Sequence, residues 1–340
     1  MEHPLHVYNC EFKSLSDVIV SPRDWRWRRS YVLRMLTAFA ILALAEIICS
    51  YSWKSPAFAL NLGFLTIGML HGAADPWQLL QVGIRQRRWN LAFYYLALLF
   101  VSAVSLVLAP SVAIAAFLLL AGIHFGFEDL PRSRFASFAT LAVIARGTVV
   151  VGLPIAIHWN ESIAFLGLCQ DVLHVNGLTL ATPQFVGINV ARSASTGILF
   201  LAIASHTVLA FRGVGHVRQW WIETIVLAAC AFVMHPLFFI GLYVGGWHAV
   251  KSTVHLMTET ERNDRPATVL ATLLATIPIL AVALFLWMGR FGGNRFELSK
   301  LFFGPSADQF AAFAFIAYAV VTLPHLWWHA RTRGGMIDSR

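Results

Sequence analysis

Histidine and carboxylate side chains recur in this chain inside long apolar runs: His71 with Asp75 in MLHGAADP, His124 with Glu128 and Asp129 in GIHFGFEDL, His206 in ASHTVLAF, His248 and His255 in GGWHAVKSTVHL, and His325 in TLPHLWWH. Glu46, Arg146 and Glu223 complete the strongly polar set. Such groups are costly in hydrocarbon unless they pair, bind an ion or face a cavity, so they are where chemistry is first sought. Neutral imidazole suits iron, copper and zinc, and it holds a cation without adding uncompensated negative charge to a low-dielectric interior. A ligating imidazole normally gives its other ring N–H to a carboxylate or carbonyl. Asp75 and Asp129, about one turn from His71 and His124, are suited to that bracing role or to helix packing.

The elements that carry these residues are transmembrane helices. Apolar runs and breakers predict spans at 31–51, 56–82, 89–109, 111–129, 135–157, 194–212, 219–234, 236–257, 268–288 and 308–328, an all-α polytopic bundle of about ten helices. The connection 158–193 is moderately apolar and is given no assignment. The histidine stretches all fall on even-numbered spans, which run in one direction. At about 1.5 Å per residue, His71 lies about 22 Å below Pro56, His124 about 20 Å below Ser111 and His248 about 18 Å below Pro236. Three imidazoles from three helices therefore share one level. Taken singly, each is equally well an interhelical hydrogen-bond donor; the convergence of three is what points to a metal. His206 and His325 are expected to be structural or cavity-lining, and His3, His6, His158, His174, His216 and His329 to lie in loops or at interfaces. Gly72, Gly126, Gly245 and Gly246 beside the proposed site allow either close helix approach or room for a long flat ligand.

Composition agrees. The chain is 58% hydrophobic and 12% charged, with a mean hydropathy of +0.67, against about a quarter charged in soluble domains. The net charge of +8 does not speak for nucleic acid, because the arginines sit in short loops where they orient helices. Arg23, Arg26, Arg28 and Arg29 precede the first span, while Arg85, Arg87 and Arg88, then Arg132 and Arg134, then Arg212 and Arg218, then Arg262 and Arg265, then Arg331 and Arg333 follow even-numbered ones. Both termini are thereby expected in the cytoplasm of a multi-pass protein of the cell inner membrane. Arg290, Arg295 and Lys300 run against this pattern. Residues 1–30 read as an interfacial segment without a cleaved signal, 31–330 as one membrane domain and 331–340 as a cytoplasmic tail. Four scattered cysteines make no CxxC or disulfide pattern.

At HGAAD (71–75), HFGFED (124–129), HPLFFIGLYVGGWH (235–248) and, more weakly, TLPH (322–325), the sequence resembles the Brp/Blh family of membrane-bound carotene oxygenases. The resemblance implies an Fe(2+)-dependent dioxygenase that splits the central 15,15′ double bond of β-carotene with O2 to give two molecules of retinal, which a rhodopsin could receive. Three of the family's four iron-binding histidines map onto His71, His124 and His248. The fourth falls on Ser252. His255 lies seven residues past His248, about 10 Å along a regular helix, so a three-histidine site, or one completed by water, His206 or His325, is equally open.

Three other readings compete. A proton-coupled transporter would line a path with Glu46, Arg146, Glu223 and histidines, and calls for a repeat between halves that is not seen. A di-iron desaturase or hydroxylase calls for a set of several HxxxH and HxxHH boxes, which the chain lacks. A non-catalytic carotenoid- or retinal-binding relative is kept open by Ser252.

Overall fold

A computed structural model describes residues 89–129, 136–173, 188–211, 217–252 and 307–333, together with Asp75 and Leu79. Helices account for the regular structure, and no strand occurs among the described residues. The expected spans at 31–51, 56–82 and 268–288, the N-terminal segment 1–30, His71 and His255 lie outside these residues.

Helix α1 (Trp89–Leu108) and α2 (Pro110–Asp129) are separated by Ala109 alone. Pro110 has no N–H and restricts the residue before it, which ends one helix and opens the next. Helix α3 (Ala136–Gly147) passes into a π-helical turn, Thr148–Gly152, and then α4 (Leu153–Ile157). Pro154 cannot donate to Val150, and the ladder widens just ahead of it. His158, at φ −101° and ψ 51°, stops α4, and its N–H reaches the Pro154 carbonyl at 3.0 Å.

The connection left open in the sequence begins with a helix, α5 (Trp159–Leu173). Its Cys169 is fully buried, its Phe165 packs edge-on to Phe315 at 5.5 Å, and Gln170 Nε2 donates to Ser111 Oγ at 2.8 Å. The chain continues through α6 (Ile188–Phe211), α7 (Val217–Val233) and α8 (Pro236–Leu242). A second π-helical turn, Tyr243–His248, follows α8, and the last described helix is α9 (Ala307–Arg333). Helix α9 is central: it packs on α1, α2 and α5.

Four helical stretches among the described residues are long and apolar enough to cross a membrane: Trp89–Leu108, Pro110–Glu128, Thr140–Ile157 and Asp308–His329. Phe93, Phe100, Val112 and Phe200 are each at least two-thirds exposed, and so many outward apolar side chains suit a lipid surround. The chain is a membrane protein.

Helices α2 and α3 meet backbone to backbone. A Cβ on Gly126 would overlap the Val143 carbonyl oxygen, and one on Gly147 would overlap the Gly122 carbonyl oxygen. Gly122 and Gly126 stand four apart on one face of α2, the small-residue spacing that membrane helices use for close approach. Of the two roles open to Gly126, close approach is the one the structure shows.

Candidate metal centre

His124 lies on α2, 6% exposed, one turn before Glu128. Gly122 and Gly126 on either side draw the helix against α3, which holds this turn of α2 in place.

His248 closes the π-helical turn. In a regular α-helix, residues five apart are rotated by about 140°. Here Tyr243 and His248, five apart, stack at 6.2 Å with ring planes 22° apart. The widened turn has rotated His248 onto the Tyr243 face, where Phe125 also packs, 5.0 Å from Tyr243 and 4.8 Å from His248.

Two further imidazoles come from α9. His325 follows Pro324, which interrupts the helix ladder, while the Thr322 hydroxyl donates to the Tyr318 carbonyl at 2.7 Å. His329 stands one turn on, and the two rings are 4.2 Å apart.

Around His124 the ring centres of His248, His325 and His329 lie at 5.1, 4.9 and 5.8 Å. Imidazoles sharing one ion through bonds of about 2.0–2.1 Å keep ring centres about 4.5–5.3 Å apart. The His124 pairs with His248 and His325 fall in that range.

Asp75, 1% exposed, meets α9 across 250 positions of sequence. Its Oδ2 lies 2.5 Å from His325 Nδ1, and its Oδ1 lies 3.5 Å from His329 Nε2. Glu128 Oε1 is 3.5 Å from His329 Nδ1. One ligand atom each from Asp75, His325 and His329 lie within 4.8 Å of one another. Among the described residues these three are the ones whose ligand atoms come together in this way; their nitrogen and carboxylate donors suit a divalent transition metal, and the His124 and His248 rings flank them.

The match to a family of known proteins covers residues 62–329 and carries the description beta-carotene 15,15'-dioxygenase. The chain belongs to the beta-carotene 15,15'-dioxygenase family. No curated protein and no solved structure matches it. The stretch shared with the beta-carotene 15,15'-dioxygenase family includes His71, His124, His248, Ser252, His325 and His329.

Of the residues singled out in the sequence, the structure brings together His124, His248 and Asp75, with Asp75 turned to His325 and His329. Ser252 is buried one turn beyond His248. His71, His255 and the side chains of Asp129 and His206 lie outside the description.

One expectation is revised: His329 does not lie in a loop, because α9 continues four residues beyond it. His325, expected to be structural or cavity-lining and open as a completing ligand, packs in the imidazole cluster. The signal was HLWWH at 325–329, one HxxxH pair that a span boundary at 328 cuts in two.

Arg146 and Glu223 belong elsewhere. Arg146 Nη2 donates to Glu223 Oε2 at 3.0 Å and Nη1 to Thr224 Oγ1 at 2.9 Å, tying α3 to α7.

Proposed function

We propose that this chain is a membrane-embedded oxygenase that uses Fe(2+) and O2 to cleave the central 15,15′ double bond of β-carotene, or of a related carotenoid, into two molecules of retinal. The observation that carries the reading is His124 within about 5 Å of two other imidazoles, inside a stretch that matches the beta-carotene 15,15'-dioxygenase family. In this reading His124 and His248, with His71, hold the iron. A bound iron would supply the oxygen chemistry, and no nucleophile or acid–base pair is required of the protein.

The side chains supply position and dryness. Phe125 and Tyr243 form an aromatic wall against His248 that suits the flat face of a polyene. His124 and His248 are each more than nine-tenths buried, so water is kept from the reacting bond. Asp75 accepts the His325 Nδ1 proton, which fixes that ring's tautomer and orientation. Substrate and product both partition into lipid and can pass sideways between helices, and a rhodopsin is a fitting acceptor of the retinal. About ten spans in the inner membrane with both termini in the cytoplasm complete the proposal.

The test is expression in a β-carotene-producing bacterium, with retinal and residual carotene quantified by chromatography for the wild type and His124→Ala. Retinal from the wild type and none from the variant is expected. Intact carotene in both, with iron supplied and both proteins present in the membrane, would overturn the reading in favour of a carotenoid-binding protein.

A further inference from the structure

Resting on that reading, we propose that His325 and His329 of α9 enter the coordination of the ion held by His124 and His248, and so stand in for the ligand that is missing at Ser252. Ser252, with its neutral hydroxyl, is a poor replacement for an imidazole on a transition metal. The structure supplies two imidazoles from another helix instead.

Three observations carry this. First, the His325 ring centre is 4.9 Å from that of His124, as close as His248 at 5.1 Å. The His248 and His325 rings thus flank His124 at nearly equal distance.

Second, Asp75 divides its two oxygens. The 2.5 Å approach of Oδ2 to His325 Nδ1 is a hydrogen bond, too short for two ligands of one ion. It commits Nδ1–H to the carboxylate and leaves Nε2 as the ligating atom of His325, the arrangement in which a carboxylate braces a metal-bound imidazole. The 3.5 Å between Oδ1 and His329 Nε2 is longer than an ordinary N–H···O hydrogen bond of about 2.7–3.2 Å. It sets the same carboxylate against both α9 imidazoles, and with Oδ2 behind His325 Nδ1 neither oxygen reaches an ion at His325 Nε2.

Third, the pair is held as a unit. His325 and His329 are four apart on one helical face, 4.2 Å between ring centres, with Glu128 of α2 3.5 Å from the second.

Asp75 is then a positioning residue, acting on the metal through His325. The experiment uses full-length protein in detergent, stripped with a chelator and titrated with Co(2+). Bound metal is measured by elemental mass spectrometry and the visible absorption of Co(2+) is recorded. His325→Gln and His329→Gln are each expected to weaken binding about tenfold or more and to change the Co(2+) spectrum, and Asp75→Asn to weaken it by about 10- to 100-fold. Thr322→Val on the same helix should change neither.

Wild-type affinity and spectrum in the His325→Gln/His329→Gln double variant would overturn the proposal. Should these variants not yield dispersed protein, spin-echo modulation of the Cu(2+)-loaded wild type counts coordinated imidazoles directly: four or more support the proposal, three or fewer overturn it. Carotene cleavage assayed on the same preparations separates the two readings. Retinal formation with metal retained in the double variant sinks the α9 ligands and leaves the oxygenase; metal binding that depends on α9 without retinal from the wild type sinks the oxygenase and leaves the ligands.

Discussion

Two buried polar clusters sit among the apolar helices, and they are built on different principles. Between α3 and α7, Arg146 meets Glu223 and Thr224: one cation, one anion, one hydroxyl, with charge balanced within the group. Around His124, three further imidazoles gather with Asp75 and Glu128, a set rich in metal-ligating nitrogen. The first joins helices. In the second, Asp75, His325 and His329 bring one ligand atom each within 4.8 Å of one another. Burial of a polar group in a membrane protein is thus not evidence of a site in itself; the kinds of donor and their spacing decide.

The sharpest way to break this contrast is to remove one member from each cluster. His124→Ala should lower retinal formation by at least about 100-fold, below detection in the carotene-producing host, while the protein still accumulates in the membrane. A core devoted to ligands is seldom at its stability optimum. Retained activity in His124→Ala would place the chemistry elsewhere.

Glu223→Ala should do the reverse. It removes the anion paired with the Arg146 guanidinium, 1% exposed, at a cost of about 3–5 kcal/mol. Thermal unfolding in detergent should show a large drop in midpoint, or no folded protein. The double change Arg146→Met and Glu223→Leu should recover most of that loss, because apolar side chains of similar volume can replace a buried pair at little net cost. A double variant as unstable as the single one would show that the charges do more than hold α3 to α7.

How far these clusters were legible in the sequence follows the same division. The apolar runs of α1, α2 and α9 give their helices within a few residues, since length and hydropathy are all a span requires. Counting depth along regular helices placed His124 and His248 at one level, and their rings are 5.1 Å apart.

What the sequence withheld depends on departures from regularity or on distant pairing. The π-helical turn at Tyr243–His248 changes the direction of His248 without any change in hydrophobic pattern. The approach of Asp75 to His325 spans 250 positions, and no local signal announces it. His329 was lost to a span boundary set one residue before it, and α5 to a mixed composition that reads neither as span nor as loop.

The α2–α3 contact that holds His124 in place offers a smaller effect. Gly126→Ala pushes a methyl group into the Val143 carbonyl, which can yield only by separating the helices. A loss of about 1–3 kcal/mol in stability is expected, with metal affinity reduced in step because His124 lies two residues away. Gly167, with open space where its Cβ would be, is the control: Gly167→Ala should leave both unchanged or raise stability slightly. Equal effects at Gly126 and Gly167 would remove the close-approach argument.

The effect of pH is read at His235, in the turn between α7 and α8. Its Nδ1 accepts from the Leu237 N–H at 3.3 Å and caps α8. Burial, with a lesser contribution from His158, depresses its pKa from 6.5 to about 4, against an opposing pull from Glu161. As pH falls through 6.5 the unfolded chain takes up a proton that the folded chain still refuses, so folded stability declines from about pH 6.5 down to about pH 4 and no further on this account. His235→Asn keeps a capping acceptor and removes the titration. The thermal midpoint of the wild type should therefore fall more than that of His235→Asn between pH 7 and pH 4.5, the difference between them isolating this residue from the other histidines. Parallel curves would mean that His235 already carries its proton in the fold, and that the α8 cap is held by something other than its ring nitrogen.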